Sequence, residues 1–175
     1  ACSEEQSVKA FVLEKYGHPM REVSMPEPTA GPRQVLVRMI AAGVNHADER
    51  TRAGELKAVF RLDLPQVMGG ELSGEVVAVG DQVTEFAVGD EVYGYTGVVG
   101  MGTFGEVVAI DADAVALAPA SADLVEAASL PVVALTAWQA LIEIGHVQPG
   151  QRVLVHGGSG GVGSVAIQLA KHLGA

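Results

Sequence analysis

RVLVHGGSGGVGSVAIQLAKHLGA, residues 152–175, is the stretch that decides the fold. It begins with a short apolar segment that is typical of a buried parallel strand. A run of glycines follows, and beyond it apolar residues recur at helical spacing. These residues are Val162, Val165, Ala166, Leu169, Ala170 and Leu173. The stretch therefore predicts a strand, a glycine turn and a helix.

The glycine run has the chemistry of a phosphate-binding loop. Gly158, Gly160 and Gly163 stand in the G-x-G-x-x-G register, which provides a tight turn, close approach of backbone to a pyrophosphate, and close helix–strand packing. The candidate cofactor-binding residues are Gly158, Ser159, Gly160, Gly161, Val162 and Gly163. The Ser159 hydroxyl could bond a phosphate. A glycine turn without ligand is the alternative, and the strand–helix context favours the nucleotide.

The same motif is incomplete as a dinucleotide fold. An acidic residue that binds the ribose is expected about 20 positions after the first glycine, which lies beyond Ala175. The sequence thus contains the first βα unit without the next strand and without the residue that separates NAD from NADP. We expect a truncated chain, or a second half supplied from elsewhere.

The front of the chain reads as short strands at turn spacing from Lys9 to about Ile110. Strands are predicted over 8–14, 35–45, 71–80, 90–95 and 104–110. A short helical turn is predicted to end at Gly54. This pattern favours a mostly antiparallel, barrel-like β domain. Together with the strand–turn–helix at the end, it makes the protein α/β overall.

The pattern changes near residue 121. A helix is predicted to begin at Ser121 and to be interrupted at Pro131, and a second helix is predicted to end at Gly145. We therefore divide the chain into a β domain over 8–127 and the opening of a nucleotide-binding domain over 128–175. Residues 1–7 are interpreted as a tail.

Composition limits the function classes. The formal net charge of −10 disfavours nucleic acid and anionic membranes as partners, because both are polyanionic. Cys2 is the single cysteine, so neither an intramolecular disulfide nor a cysteine-rich zinc cluster can form. We find no signal peptide and no run of about 18 apolar residues. The expected location is the cytoplasm.

Several ordered motifs resemble a known superfamily. Residues 79–94 follow the pattern V-G-x-x-V-x-x-F-x-x-G-D-x-V-x-G of the medium-chain dehydrogenase/reductase superfamily, and 41–48, 68–80 and 130–141 resemble further superfamily motifs in the same order. The sequence is most similar to the zinc-independent quinone oxidoreductase branch, which includes zeta-crystallin. The resemblance implies a GroES-like β domain, a Rossmann domain, and an active site in the cleft between them.

The branch is indicated by metal chemistry. Where zinc-dependent relatives carry a Cys and a His as ligands, this sequence has Asn45 and Gly70, neither of which is a good zinc ligand. Glu71 remains, but one carboxylate does not make a zinc site. Without zinc, the acceptor must take hydride easily, which suits reduction by NADPH, with NADH as the alternative, better than alcohol oxidation.

The resemblance also implies site residues. Asn45 would face the substrate and hold a quinone oxygen with its amide N–H, although an Asn there could instead cap a turn. Asp48 would order the loop, or could act as a helix-start acid. Thr136 matches a position beside the nicotinamide, although a mid-helix Thr can bond its own backbone. Tyr93 and Tyr95 are first interpreted as packing residues, with cleft lining or proton donation as the alternative.

Three functions remain open. The leading hypothesis is an NAD(P)H-dependent reductase that passes hydride to a quinone without zinc. The first alternative is a C=C reductase of enones or enoyl thioesters. The second is a non-enzymatic structural protein or inactive fragment. The resemblance implies a homodimer of the full-length protein.

Overall fold

A computed structural model describes residues 7–97 and 101–175. The chain divides into two compact units, with the boundary between Ala128 and Ser129. The predicted tail lies outside the described residues except for Ser7, which begins the first strand.

The first unit is built on two antiparallel sheets. A three-stranded sheet has the order β2-β1-β4, and a five-stranded sheet has the order β7-β3-β5-β6-β8. The strands are β1 Ser7–Leu13, β2 Arg21–Pro26, β3 Gln34–Ala41, β4 Gln66–Val67, β5 Glu71–Val79, β6 Glu91–Tyr95, β7 Val107–Asp111 and β8 Val115–Leu117. The Phe11 N–H donates to the Phe104 carbonyl at 2.7 Å, and Ala10 bridges Gly105. The predicted antiparallel β domain is confirmed.

Strand periodicity explains where the core lies. In β1 the residues alternate between exposed and buried, because successive side chains of a strand point to opposite faces. In β3 and β5 the two central valines, Val37 and Val76, are cross-strand partners. The main core cluster contains Val35, Val37, Leu72, Val76, Val92, Val108, Ile110 and Ala112.

Two helices complete the first unit. Helix α1, His46–Ala53, ends at Gly54, whose left-handed φ of 83° suits glycine. The short helix α2, Leu124–Ala127, contacts β3, β5 and β6. The predicted helical stop at Gly54 is confirmed. The predicted helix start at Ser121 is wrong, because Asp123 is the N-cap and its carboxylate accepts from the Glu126 N–H at 2.8 Å.

The second unit is helical. Helix α3, Pro131–Trp138, continues as a π-helical segment over Gln139–Ile144, and α4 spans Gly161–His172. Pro131 occupies the first turn of α3, where its missing N–H costs nothing. The predicted interruption at Pro131 and the predicted stop at Gly145 are confirmed. Ala137, Leu141, Ala166 and Ala170 form the buried centre of this unit.

Two predicted strand assignments need correction. The predicted strand over 152–156 has no sheet partner, because the described residues of the second unit contain no strand. Val153 and Val155 pack against the helices, whereas Leu154 is 81% exposed. The predicted strand over 35–45 ends at Ala41, because its last residues form the approach to α1.

Among the described residues, no helix combines the length and the apolar character needed to cross a bilayer.

Gly74 gives the first testable prediction. It lies where β5 passes an irregularity in β3, and a Cβ there would overlap the Arg38 carbonyl. We expect Gly74→Ala to lower the free energy of unfolding by about 1–3 kcal/mol, because backbone must move to admit the methyl group. Urea unfolding measures this change.

Gly105→Ala is the matched control, since the nearest atom to its Cβ is the Ala10 methyl at 3.4 Å, an ordinary contact. We expect a change within about 1 kcal/mol of zero. Equal destabilisation by the two variants would contradict the close-approach explanation.

Candidate functional site

Asn45 occupies the junction between the end of β3 and the start of α1. It is the N-cap of α1, with φ −109° and ψ 156°. Its backbone N–H donates to Asp48 Oδ2 at 2.8 Å, and its carbonyl accepts from the Asp48 N–H at 3.0 Å. The backbone of Asn45 is therefore fixed by the first turn of the helix, where Asp48 is its partner.

The side chain of Asn45 is fixed by a different residue. Its amide nitrogen, Nδ2, donates to Glu71 Oε2. Glu71 is only 2% exposed. An ionised carboxylate can only accept, so this contact orients the amide nitrogen towards Glu71 and the amide oxygen away from it. Within residues 7–97 and 101–175 the second N–H of the amide has no partner, so it can donate to a ligand.

Strand alternation places Glu71 at this site. Leu72 and Val76 of β5 belong to the core cluster, so Glu71 and Ser73 lie on the opposite face of the strand. The Ser73 hydroxyl donates to the Leu124 carbonyl at the start of α2, which covers this face. A Cβ at Gly43 would overlap the Glu71 carboxylate, so glycine at this position avoids a steric clash with it.

Sequence reasoning named Glu71 only as an insufficient metal ligand and missed its contact with Asn45. The available signal was a charged residue at the first position of a strand that carries core residues, "ELSGEVVAV". Buried charges need partners, and Asn45 is one of them.

Burial raises the pKa of the Asp48 carboxyl, and the nearby charge of Glu71 raises it further. The hydrogen bond from the Asn45 N–H acts in the opposite direction. Burial is the largest of these effects, so the surroundings of Asp48 disfavour its charged form.

Tyr95 borders the same site. It ends β6 and is the cross-strand partner of Glu71, so the two side chains share a face. A Cβ at Gly70 would lie 3.1 Å from the Tyr95 ring. Burial, then the charges of Asp48 and Glu71, raise the pKa of Tyr95 above its ordinary value of 10.0.

The described residues contain no group of three or more His, Cys, Asp or Glu side chains arranged to hold a metal ion. Asn45 and Gly70 occupy the positions at which zinc-dependent relatives carry a Cys and a His ligand. The side chain of Asn45 is an amide, and that of Gly70 is a hydrogen atom. The amide nitrogen of Asn45 is a hydrogen-bond donor.

The glycine loop lies in the second unit. Gly157 has a left-handed φ of 69°, so the tight turn falls one residue before Gly158. Gly160 is the N-cap of α4, and a Cβ at Gly163 would overlap the Gly157 carbonyl. A pocket of about 500 Å³ borders this loop. The first N–H groups of α4 have no partners within the helix, which suits an anion.

The candidate residue Thr136, and Arg52 on α1, have local partners. The exposed Thr136 donates its hydroxyl to the Val132 carbonyl at 2.6 Å, the backbone contact that sequence reasoning gave as its alternative. Arg52 pairs with Glu49 at 2.7 Å and with the His18 carbonyl.

Asp48→Asn tests the electrostatics of this site. Because the pKa of Asp48 is raised from 3.8, the stabilising contribution of its protonated form is complete below pH 3.8 and is lost as the pH rises through the raised pKa. Asn is uncharged at every pH and still offers an oxygen to the Asn45 N–H.

We therefore expect the stability difference, variant minus wild type, to increase with pH and then level off. Thermal unfolding of both proteins, from below pH 3.8 to above the raised pKa of Asp48, measures this stability difference. A pH-independent difference, or one that falls with pH, would show that burial does not penalise the Asp48 charge.

Comparison with known proteins connects this geometry to a family. Residues 31–120 match the alcohol dehydrogenase GroES-like domain. An alcohol dehydrogenase superfamily protein from Novosphingobium aromaticivorans is 44% identical with a TM-score of 0.91, over 96% of this chain and 51% of that structure.

Two relatives have names that state a reaction. The quinone oxidoreductase from Coxiella burnetii is 35% identical with a TM-score of 0.85, over 97% of this chain and 55% of that one. The 2-methylene-furan-3-one reductase of Solanum lycopersicum is 40% identical over 158 residues, which are 87% of this chain and 40% of the relative. The chain thus spans about half the length of these proteins. It belongs to the GroES-like family of the medium-chain dehydrogenase/reductase superfamily of oxidoreductases.

Proposed function

We propose that the protein reduces a conjugated carbonyl acceptor, with a quinone as the leading class, using NADPH or NADH and no zinc. The observation that carries this proposal is the amide of Asn45, oriented by the buried Glu71. Its second N–H is a donor for a carbonyl oxygen that gains negative charge during reduction. Such a preoriented donor stabilises a developing oxyanion at little reorganisation cost.

The identity of the donors supports zinc-free chemistry. An amide nitrogen already committed to Glu71 is a poor metal ligand, and Gly70 provides no side chain at all. A hydrogen-bond donor polarises a carbonyl less strongly than a metal ion does. The acceptor should therefore be one that takes hydride readily, which describes quinones and activated alkenes.

The residues of the second unit fit a nicotinamide dinucleotide. The backbone of Gly158–Gly163 would hold its pyrophosphate, with the exposed Ser159 beside it. A Cβ at Gly163 would overlap the Gly157 carbonyl, so glycine at this position lets the loop pack closely on α4. The bound dinucleotide would supply one hydride. Thr136 remains a proposed neighbour of the nicotinamide; its hydroxyl donates to the Val132 carbonyl, which leaves its oxygen to accept from the cofactor.

Reduction of a carbon–carbon double bond is the second candidate function. It is favoured by the 40% identity to an enzyme named as a 2-methylene-furan-3-one reductase, whose substrate name describes a conjugated enone. The same donor at Asn45 would hold the enone oxygen. Side-by-side turnover of a quinone and an enone ranks the two acceptors. We place the reaction in the cytoplasm and propose a homodimer.

The test of Asn45 uses protein expressed from its full reading frame. We expect Asn45→Ala to lower kcat/KM for the acceptor by about 10²-fold, because the oxyanion loses a hydrogen-bond donor. The KM for NADPH should not change. Consumption of NADPH, followed by its absorbance with a quinone and with an enone, measures both parameters.

Two Glu→Gln variants separate orientation from general charge effects. Glu71→Gln keeps an oxygen for Asn45 but also adds a donor, so the amide is less firmly oriented and kcat/KM should fall by less than in Asn45→Ala. Glu75→Gln is the matched control on the same face of β5, where the half-buried Glu75 pairs with Arg38 at 3.8 Å, and it should leave activity unchanged.

Two results would contradict the proposed reductase function or the proposed role of Asn45. Wild-type protein that stays folded but consumes neither cofactor with either acceptor would overturn the reductase and favour the non-enzymatic alternative. Full activity in Asn45→Ala would exclude the amide as the group that holds the acceptor.

A further inference from the structure

Tyr95 has the placement of a functional group. It is the last residue of β6, and its register partner is Glu71, the residue that orients Asn45. Its ring occupies space beside Gly70, where a Cβ would lie 3.1 Å from the ring edge. The absence of a side chain at position 70 thus allows the phenol to lie next to the carboxylate face of β5.

The hydroxyl of Tyr95 has no hydrogen-bond partner within residues 7–97 and 101–175, and the residue is only partly buried. Tyr16 shows the contrasting, structural use of a phenol, because its oxygen accepts from the Leu62 N–H at 2.7 Å. A buried phenol usually finds a hydrogen-bond partner inside the protein, as Tyr16 does. The Tyr95 hydroxyl is thus available to a bound molecule.

The surroundings of Tyr95 favour the protonated phenol, because they raise its pKa. Asp48 on α1 and Glu71 on β5 are the acidic groups that act on it, and they add to burial in raising its pKa. The strand on the other side of β6, Val115–Leu117, presents no titratable side chain. Throughout the neutral range the phenol is a proton donor.

Reduction of a conjugated carbonyl creates a demand for a proton. When the acceptor gains a hydride, a C–H bond forms and an electron pair of the conjugated system moves onto the carbonyl oxygen. That oxygen carries a full negative charge until it is protonated. The nearby carboxyl groups are engaged, since Asp48 Oδ2 accepts from the Asn45 N–H and Glu71 Oε2 accepts from the Asn45 amide.

We propose that Tyr95 is the catalytic acid of the reduction. In this step, which rests on the proposed function, the Tyr95 O–H bond breaks, its proton forms a new O–H bond on the acceptor oxygen, and the phenolate regains a proton from water. Asn45 holds the oxygen while Tyr95 protonates it. The acceptor class is therefore a conjugated carbonyl whose oxygen reaches both groups.

The test compares Tyr95→Phe with Tyr93→Phe in protein expressed from its full reading frame. Tyr93 lies two residues earlier in β6, on the same face, opposite Ser73. General-acid catalysis contributes roughly 10²–10⁴-fold, so we expect Tyr95→Phe to lower kcat by at least about 10²-fold. Tyr93→Phe should change kcat less than about twofold, since Tyr93 lies opposite Ser73 and not opposite Glu71, the residue that orients Asn45. Thermal unfolding verifies that both variants fold.

A second variant covers the case in which Tyr95→Phe fails to fold. Tyr95→His restores a proton donor that is charged below a pKa of about 6.5. Its kcat should rise as the pH falls through that region, whereas wild-type kcat should not. A hydroxyl with a purely structural role would not produce this new pH dependence.

Equal activity of folded Tyr95→Phe and Tyr93→Phe would overturn the assignment of Tyr95 while leaving the reductase proposal intact. A pH-independent Tyr95→His variant would also count against it. If the wild type reduces neither quinone nor enone, both proposals fail together.

Discussion

The hydrogen bond from the Asn45 amide to the buried Glu71 carboxylate is the interaction on which the candidate site depends. A carboxylate that is almost completely buried is costly unless neighbouring donors compensate it. Asn45 supplies one donor, and in return the carboxylate determines which atom of the amide faces it. One contact thus serves both the stability of β5 and the orientation of a polar group that can bind a ligand.

The strand arrangement creates the conditions for this contact. Alternation along β5 sends Leu72 into the core and Glu71 to the other face, while antiparallel pairing with β6 brings Tyr95 opposite Glu71. Glycines at 43 and 70 leave room for the carboxylate and the phenol ring. Burial and neighbouring carboxyl groups raise the pKa of both Asp48 and Tyr95 at this position, and shifted pKa values are more frequent at functional sites than elsewhere.

Much of the fold could be predicted from the sequence, because it rests on local patterns. The antiparallel domain, the helix that ends at Gly54, and the helix after Pro131 follow from strand alternation and from glycine and proline signals. The segment over 152–156 was predicted as a strand from composition alone, but a strand also needs a hydrogen-bonded partner, and apolar composition does not provide one.

The candidate site was predicted less completely. Asn45 and Asp48 were named as site residues from the family resemblance, and a helix-start pattern explains only their hydrogen bonds to each other. Glu71 and Tyr95 are brought to them by sheet register, which depends on pairing between distant segments. Their roles could not be read from spacing along the chain.

The most direct test is a crystal structure of the protein with oxidised nicotinamide dinucleotide and a non-reducible conjugated carbonyl analogue. We expect the analogue's carbonyl oxygen within about 2.7–3.2 Å of Asn45 Nδ2, with Glu71 still accepting from the same nitrogen. An analogue bound with its oxygen away from Asn45, or an Asn45 amide turned away from Glu71, would contradict the account.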